Sequence, residues 1–77
     1  MKLSSLKDRA IINVNNGEKM GMFSYCDLLI DENTGNILAL LIPKKKIRAL
    51  FSGESDHVEV AWNKIIKIGI DTIMIDV

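Results

Sequence analysis

Apolar and polar positions along this chain fall into short apolar arms separated by clusters of turn formers. Residues 22–43, MFSYCDLLIDENTGNILALLIP, show the pattern most clearly. Two apolar arms, residues 26–30 and 37–42, flank the polar hexad Asp31-Glu32-Asn33-Thr34-Gly35-Asn36. Asp, Asn and Gly supply side-chain-to-backbone hydrogen bonds and left-handed backbone angles, so the stretch predicts a β-hairpin with a loop of about four to six residues. The arms are short and β-branched and carry no helical period.

The rest of the chain reads the same way. Leu3 and Leu6, three apart, face one side of a helical turn or extended lead-in and pack inward, and Ser5 with Asp8 fits a capping box. Residues 10–14 predict a first strand. Asn15-Asn16-Gly17 then favours a tight turn with two successive residues at positive φ. Residues 20–31 read as one long strand bent at Gly21, with Met22, Ser24, Cys26, Leu28 and Ile30 facing the interior and Phe23, Tyr25, Asp27 and Leu29 facing away. The return strand, residues 37–42, is apolar on both faces, which calls for cover on both sides, from a partner subunit or from residues 44–51. Pro43 ends it or marks an edge. Beyond a polar loop, Val58, Val60 and Trp62 alternate as the buried face of another strand, with Trp62 in the core. Asn63-Lys64 turns, residues 65–68 form a short strand, Gly69-Ile70-Asp71 turns again, and Ile73, Ile75 and Val77 line one face of the last strand. Six strands with at most a short helical turn predict an all-β barrel or sandwich built as one domain over residues 1–77.

Composition narrows the function classes. Ten basic and ten acidic residues leave no net charge, so no global positive field exists to attract nucleic-acid phosphates. No apolar run approaches the ~20 residues of a membrane span. The start, MKLSSLKDR, lacks a hydrophobic signal core, and a lone cysteine suits a reducing compartment, so a cytoplasmic location is expected. Burial of roughly 7,800 Å², about three-fifths of it apolar, would contribute on the order of 115 kcal/mol. Ordering the chain costs about the same, at ~1.5 kcal/mol per residue. That balance favours anything that adds burial, self-association first.

Candidate chemistry is sparse. His57 and Cys26 lack the further ligands and spacing of a metal site. Cys26, inside an apolar arm, reads as a small buried hydrophobe rather than a nucleophile. Asp31 and Glu32 sit in a hexad that looks like a calcium loop but lacks its acidic spacing and terminal Glu. No metal, cofactor or small-molecule substrate is expected, and no enzymatic activity. The segment that departs from the β pattern is KKKIRALFSGESD, residues 44–56. Lys44, Lys45, Lys46 and Arg48 form a basic run, while Ile47, Leu50 and Phe51 share one face of a helical turn.

Several pieces, in order, carry a resemblance. They are Leu3-Ser4 with Leu6, Gly17-Glu18-Lys19-Met20-Gly21 and Asp27-Leu28-Leu29-Ile30-Asp31. Next come Thr34-Gly35-Asn36-Ile37 with Ala39, Leu40 and Ile42-Pro43. Last is Val60-Ala61-Trp62-Asn63-Lys64-Ile65 with Lys67-Ile68-Gly69, Asp71 and Ile73. In these the chain resembles the PRC-barrel domains, and more closely the short stand-alone branch known as the YlmC/YmxH sporulation family. The resemblance implies a six-stranded barrel without enzymatic activity or cofactor, an adaptor or assembly role, and an association with spore-forming bacteria. The expected function is a protein-interaction module that self-associates as a dimer. Its candidate interface comprises Tyr25, Leu29, Leu38, Leu40 and Ile42, whichever of these face outward, together with Lys44, Lys45, Lys46, Ile47, Arg48, Leu50 and Phe51. The alternative is an anionic-surface binder, for membrane or RNA, using the basic run at residues 44–48.

Overall fold

The computed structural model describes residues 1–44 and 57–77. Its strands are β1 (Ala10–Asn13), β2 (Glu18–Met22), β3 (Asp27–Ile30), β4 (Ile37–Pro43), β5 (His57–Ala61), β6 (Ile65–Ile68) and β7 (Thr72–Ile75). Among the described residues there is no α-helix, and short 3-10 turns stand at Leu3–Leu6, Phe23–Tyr25 and Trp62–Lys64. A four-stranded sheet runs β2-β1-β7-β6 and a three-stranded sheet runs β3-β4-β5. The pairing of β1 with β7 is parallel and brings the two ends of the sequence together at the centre of the larger sheet. The other pairings are antiparallel.

The all-β expectation holds, but the strands number seven among the described residues because residues 20–31 do not form one strand. The chain leaves β2 at Met22, and the Phe23 and Ser24 amides donate to Arg9 O (3.0 Å) and Lys7 O (3.1 Å) while the Cys26 amide donates to Phe23 O (2.9 Å). This 3-10 turn makes a corner that carries the chain from an outer strand of one sheet to an outer strand of the other. It also interrupts the alternation. Phe23, expected outside, is buried in the core, whereas Ile30, expected inside, is exposed. Cys26 and Leu28 do pack against the core as expected.

A second corner does the same between β5 and β6. The strand stops at Ala61, and the Ile65 amide donates to Trp62 O, closing a turn over Trp62–Lys64. Trp62 therefore leaves the phase of Val58 and Val60 and is half-buried at the corner instead of lying in the core. At the N-terminus Leu6 is buried and Leu3 exposed, and the 3-10 turn starts after Lys2 without a side-chain cap, so the capping box is not formed.

The β1–β2 and β3–β4 hairpin loops are built alike. In the β1–β2 loop the Asn15 amide donates to Asn13 Oδ1 (3.1 Å), the Gly17 amide to Asn13 O (2.7 Å) and the Glu18 amide to Asn16 Oδ1 (2.9 Å). In the β3–β4 loop the Asn33 amide donates to Asp31 Oδ1 (2.9 Å), the Gly35 amide to Asp31 O (2.7 Å) and the Asn36 amide to Thr34 Oγ1 (3.2 Å). Each loop has a single residue at positive φ, Gly17 at 73° and Gly35 at 81°. The expected turn with two positive-φ residues is replaced by this wider one, which Asx side chains stabilise from within.

The core lies between the sheets. Leu28, Leu40 and Val60 form one row across the smaller sheet. Ile11, Ile73 and Ile68 form another across the larger sheet, and Leu6, Phe23, Ile42 and Ile75 join the same cluster. Each fully buried side chain of this size contributes roughly 1.5–3 kcal/mol.

Candidate interaction surfaces

The expected interface divides into parts. Leu40 and Ile42 are 0% and 1% exposed and belong to the core, which corrects their assignment to an interface. The reason is topological. As the middle strand of its sheet, β4 aims these two side chains between the sheets, with Leu40 paired between Leu28 and Val60 and Ile42 opposite Val58.

Leu29 (41%) and Leu38 (47%) are exposed as expected. Leu29 pairs with Ala39, which pairs with Ala61, a row of one large and two small side chains. Pairing then skips from Ala39 to Ile37 opposite Leu29 and Ile30, so Leu38 is an extra residue at a β-bulge. Ile30, which periodicity places inside, is exposed as well, at the end of β3. In the next row Leu41 lies between Asp27 and Glu59. The second face of β4 is thus neither wholly open nor wholly covered: Ala39 is buried and Leu41 half-buried.

Tyr25 is 75% exposed and stands elsewhere. With Met20, Gly21, Met22, Pro43 and Lys44 it lines an apolar groove of about 390 Å³ between β2 and the end of β4. A neighbouring groove of about 400 Å³ shares Met20, Pro43 and Lys44 and extends to Glu18, Lys19, Ile42 and Val58. Met20 is itself a bulge residue, since Ile11 pairs with Gly21 and Ile12 with Lys19. Neither groove was foreseen. Their signal in the sequence is the Met-Gly-Met run at residues 20–22, where flexible thioethers flank a glycine. The remaining interface candidates, Lys45, Lys46, Ile47, Arg48, Leu50 and Phe51, lie outside the described residues.

The reactive groups sit in quiet surroundings. Cys26 is half-buried, its Sγ donates to Met22 O at 3.5 Å, and burial pushes its pKa from 9.0 up to about 11. Such a thiol stays protonated at neutral pH and is a poor nucleophile. His57 is exposed at the start of β5, paired with Pro43. The Asp31 carboxylate is engaged in its own turn. No cluster of His, Cys, Asp and Glu fit to hold a metal occurs among the described residues, and no helix among them is long and apolar enough to cross a membrane.

Comparison with known proteins places the whole length. The model of the PRC-barrel domain matches residues 1–77. An uncharacterised Bacillus subtilis protein, YmxH, is 40% identical over 77 residues, covering 100% of this chain and 89% of the relative. An uncharacterised Clostridium acetobutylicum protein is 31% identical over 74 residues, covering 96% and 82%. The probable sporulation protein YlmC of Bacillus subtilis is 31% identical over 75 residues, covering 97% and 90%.

Proposed function

The chain belongs to the PRC-barrel domain family, and from that premise we propose that it is a non-catalytic interaction module, acting in the cytoplasm and linked to sporulation, which pairs with a second copy of itself. The observation that carries this reading is the exposure of Leu29 on β3 and of Leu38 at the β-bulge of β4, with Ile30 exposed at the end of β3. Large aliphatic side chains exposed on adjoining strands offer a nucleus for burial against another surface. A stable pairing needs about 800 Å² per partner, so the patch would form the centre of a wider contact. The link to sporulation rests on the similarity to YlmC, a probable sporulation protein.

Molar mass in solution, followed over a concentration series at low and high salt, tests the proposal. The expected result is a dimer that salt does not dissociate, because apolar burial is not screened as charge pairing is. Changing Leu29→Lys together with Leu38→Lys should give a folded monomer. A wild-type chain that stays monomeric at every concentration would overturn self-association.

A further inference from the structure

We propose that Asn16, in the β1–β2 loop, is a modification site: its side-chain amide is lost to water by way of a ring closed onto the Gly17 nitrogen, and the folded loop, clamped to the chain beyond β7, holds that reaction back. The site belongs to a hairpin of the larger sheet and is independent of self-association through Leu29 and Leu38.

The chemistry starts from the residue pair. An asparagine loses its amide when the backbone nitrogen of the next residue attacks Cγ. A bond forms between that nitrogen and Cγ, the Cγ–Nδ2 bond breaks, and ammonia leaves with the proton that the backbone nitrogen gives up. Water then opens the cyclic imide at either carbonyl, leaving aspartate or its β-linked isomer. The attack needs close approach to a backbone nitrogen, which glycine permits and a side chain on the following residue obstructs. Asn16 is followed by Gly17, whereas Asn13, Asn15, Asn33, Asn36 and Asn63 are followed by Val14, Asn16, Thr34, Ile37 and Lys64. Asn16 and Gly17 are both exposed to water, and a Cβ at Gly17 would meet nothing within 4 Å.

The fold stands against the step. The Gly17 N–H donates to Asn13 O at 2.7 Å, so the attacking nitrogen must first leave a short hydrogen bond. Asn16 Oδ1 accepts from the Glu18 amide at 2.9 Å, which holds the side chain in its turn. From the preceding position, Asn15 Nδ2 donates to Asp76 Oδ1 (2.7 Å) and Val77 O (2.8 Å) and ties the loop down. Ring closure therefore waits on local opening of the loop. The β3–β4 loop shows that the turn itself does not need an amide here. Thr34 precedes Gly35 at the corresponding position, and its Oγ1 accepts from the Asn36 amide at 3.2 Å. One loop thus carries a hydrolysable side chain where the other carries an inert one in the same hydrogen-bonding role. Once formed, the β-linked isomer lengthens the main chain by a carbon between residues 16 and 17. The bonds at Gly17 and Glu18 then lose their geometry, and the end of the hairpin loosens.

The test holds the full chain at mildly alkaline pH, folded or in guanidinium chloride, and follows the gain of acid at each asparagine by peptide mass mapping. In denaturant Asn16 should be the first to change, and folding should slow it by about tenfold or more. Asn15→Ala, at an exposed position, removes the clamp, so the protection given by folding should shrink several-fold. Asn16→Thr should fold as the wild type does and lose the early reaction. Folded protein carrying the β-linked isomer, separated by chromatography, should exchange its Gly17 amide about tenfold faster than the unmodified chain. Four results would each overturn the proposal: another asparagine changing first in denaturant, equal rates in folded and unfolded chains, protection untouched by Asn15→Ala, or unaltered Gly17 exchange in the isomer.

Discussion

Leu38 and Leu40 are chemically identical and two positions apart on β4, yet one is half in solvent and the other is sealed in the core. Replacing each by Ala should separate them in a urea titration. Leu40→Ala removes a side chain with no exposed area and should cost about 2–5 kcal/mol, through lost transfer energy and the cavity left behind. Leu38→Ala should stay within about 0.5 kcal/mol, as surface changes do. Cys26 offers a second test at this scale. Burial raises its pKa, so at pH 8 the folded chain holds roughly 100-fold less thiolate than a thiol at its ordinary value. Alkylation by iodoacetamide should therefore be at least about tenfold slower in the folded protein than in urea. The linked effect on stability has a definite sign. The unfolded chain loses its proton at lower pH than the folded one, so stability falls as pH climbs from 9.0 toward about 11. A chain whose alkylation rate is unchanged by folding would refute the burial of this thiol.

At the level of elements, two devices recur. The loops beginning at Asn13 and Asp31 share a set of three hydrogen bonds and a glycine in the left-handed region four positions on. Their common spacing is Asx-x-Asn-[Asn/Thr]-Gly, as in Asn13-Val14-Asn15-Asn16-Gly17 and Asp31-Glu32-Asn33-Thr34-Gly35. A Cβ at Gly17 or Gly35 would meet nothing within 4 Å, so the penalty for Ala is conformational and not steric. Gly17→Ala and Gly35→Ala should each cost about 1–2 kcal/mol in chemical denaturation. A neutral result at either would show that its loop can adopt another turn. The two corners also open on an aromatic, Phe23 and Trp62, but differ in depth. Phe23→Ala should lose about 3–5 kcal/mol and Trp62→Ala, at a half-buried site, clearly less.

For the whole molecule, the parallel pairing of β1 with β7 ties the two ends of the sequence into one sheet. Asn15 adds a clamp from the first loop, its Nδ2 donating to Asp76 Oδ1 (2.7 Å) and to Val77 O (2.8 Å). Shortening the chain before β7 removes Ile73 and Ile75 from the core along with the partner of β1. Such a chain should lose the cooperative unfolding transition of the full domain, read by circular dichroism on heating. Assembly belongs to this scale too. A salt-insensitive dimer in the concentration series, lost when Leu29 and Leu38 are both changed to Lys, would put these two side chains inside the contact between the copies.

Most of the strands and the positions of the β1–β2 and β3–β4 loops were legible in the residues because they depend on near neighbours. Alternation marks a half-buried strand, and Asx and Gly close a turn through bonds a few positions apart. Hence the strand at residues 37–42, the loop at residues 31–36 and the all-β class could all be read from local pattern. The candidate interaction surface was legible only in part. Leu29 and Leu38 were foreseen as exposed, whereas Leu40 and Ile42 proved to be core and the Met20–Met22 groove went unseen. Period-two alternation states which residues share a face but not which face meets the other sheet, and a 3-10 corner interrupts the alternation where it falls, at Phe23 and at Trp62. Phe23 turned inward because its amide, with that of Ser24, bonds to Arg9 and Lys7 far back in the chain. The sequence by itself determined the strands and their turns, where the energies are local. Tertiary structure alone decided which face is buried, how the chain ends pair and where a groove opens, because those depend on contacts between residues that are distant in the chain.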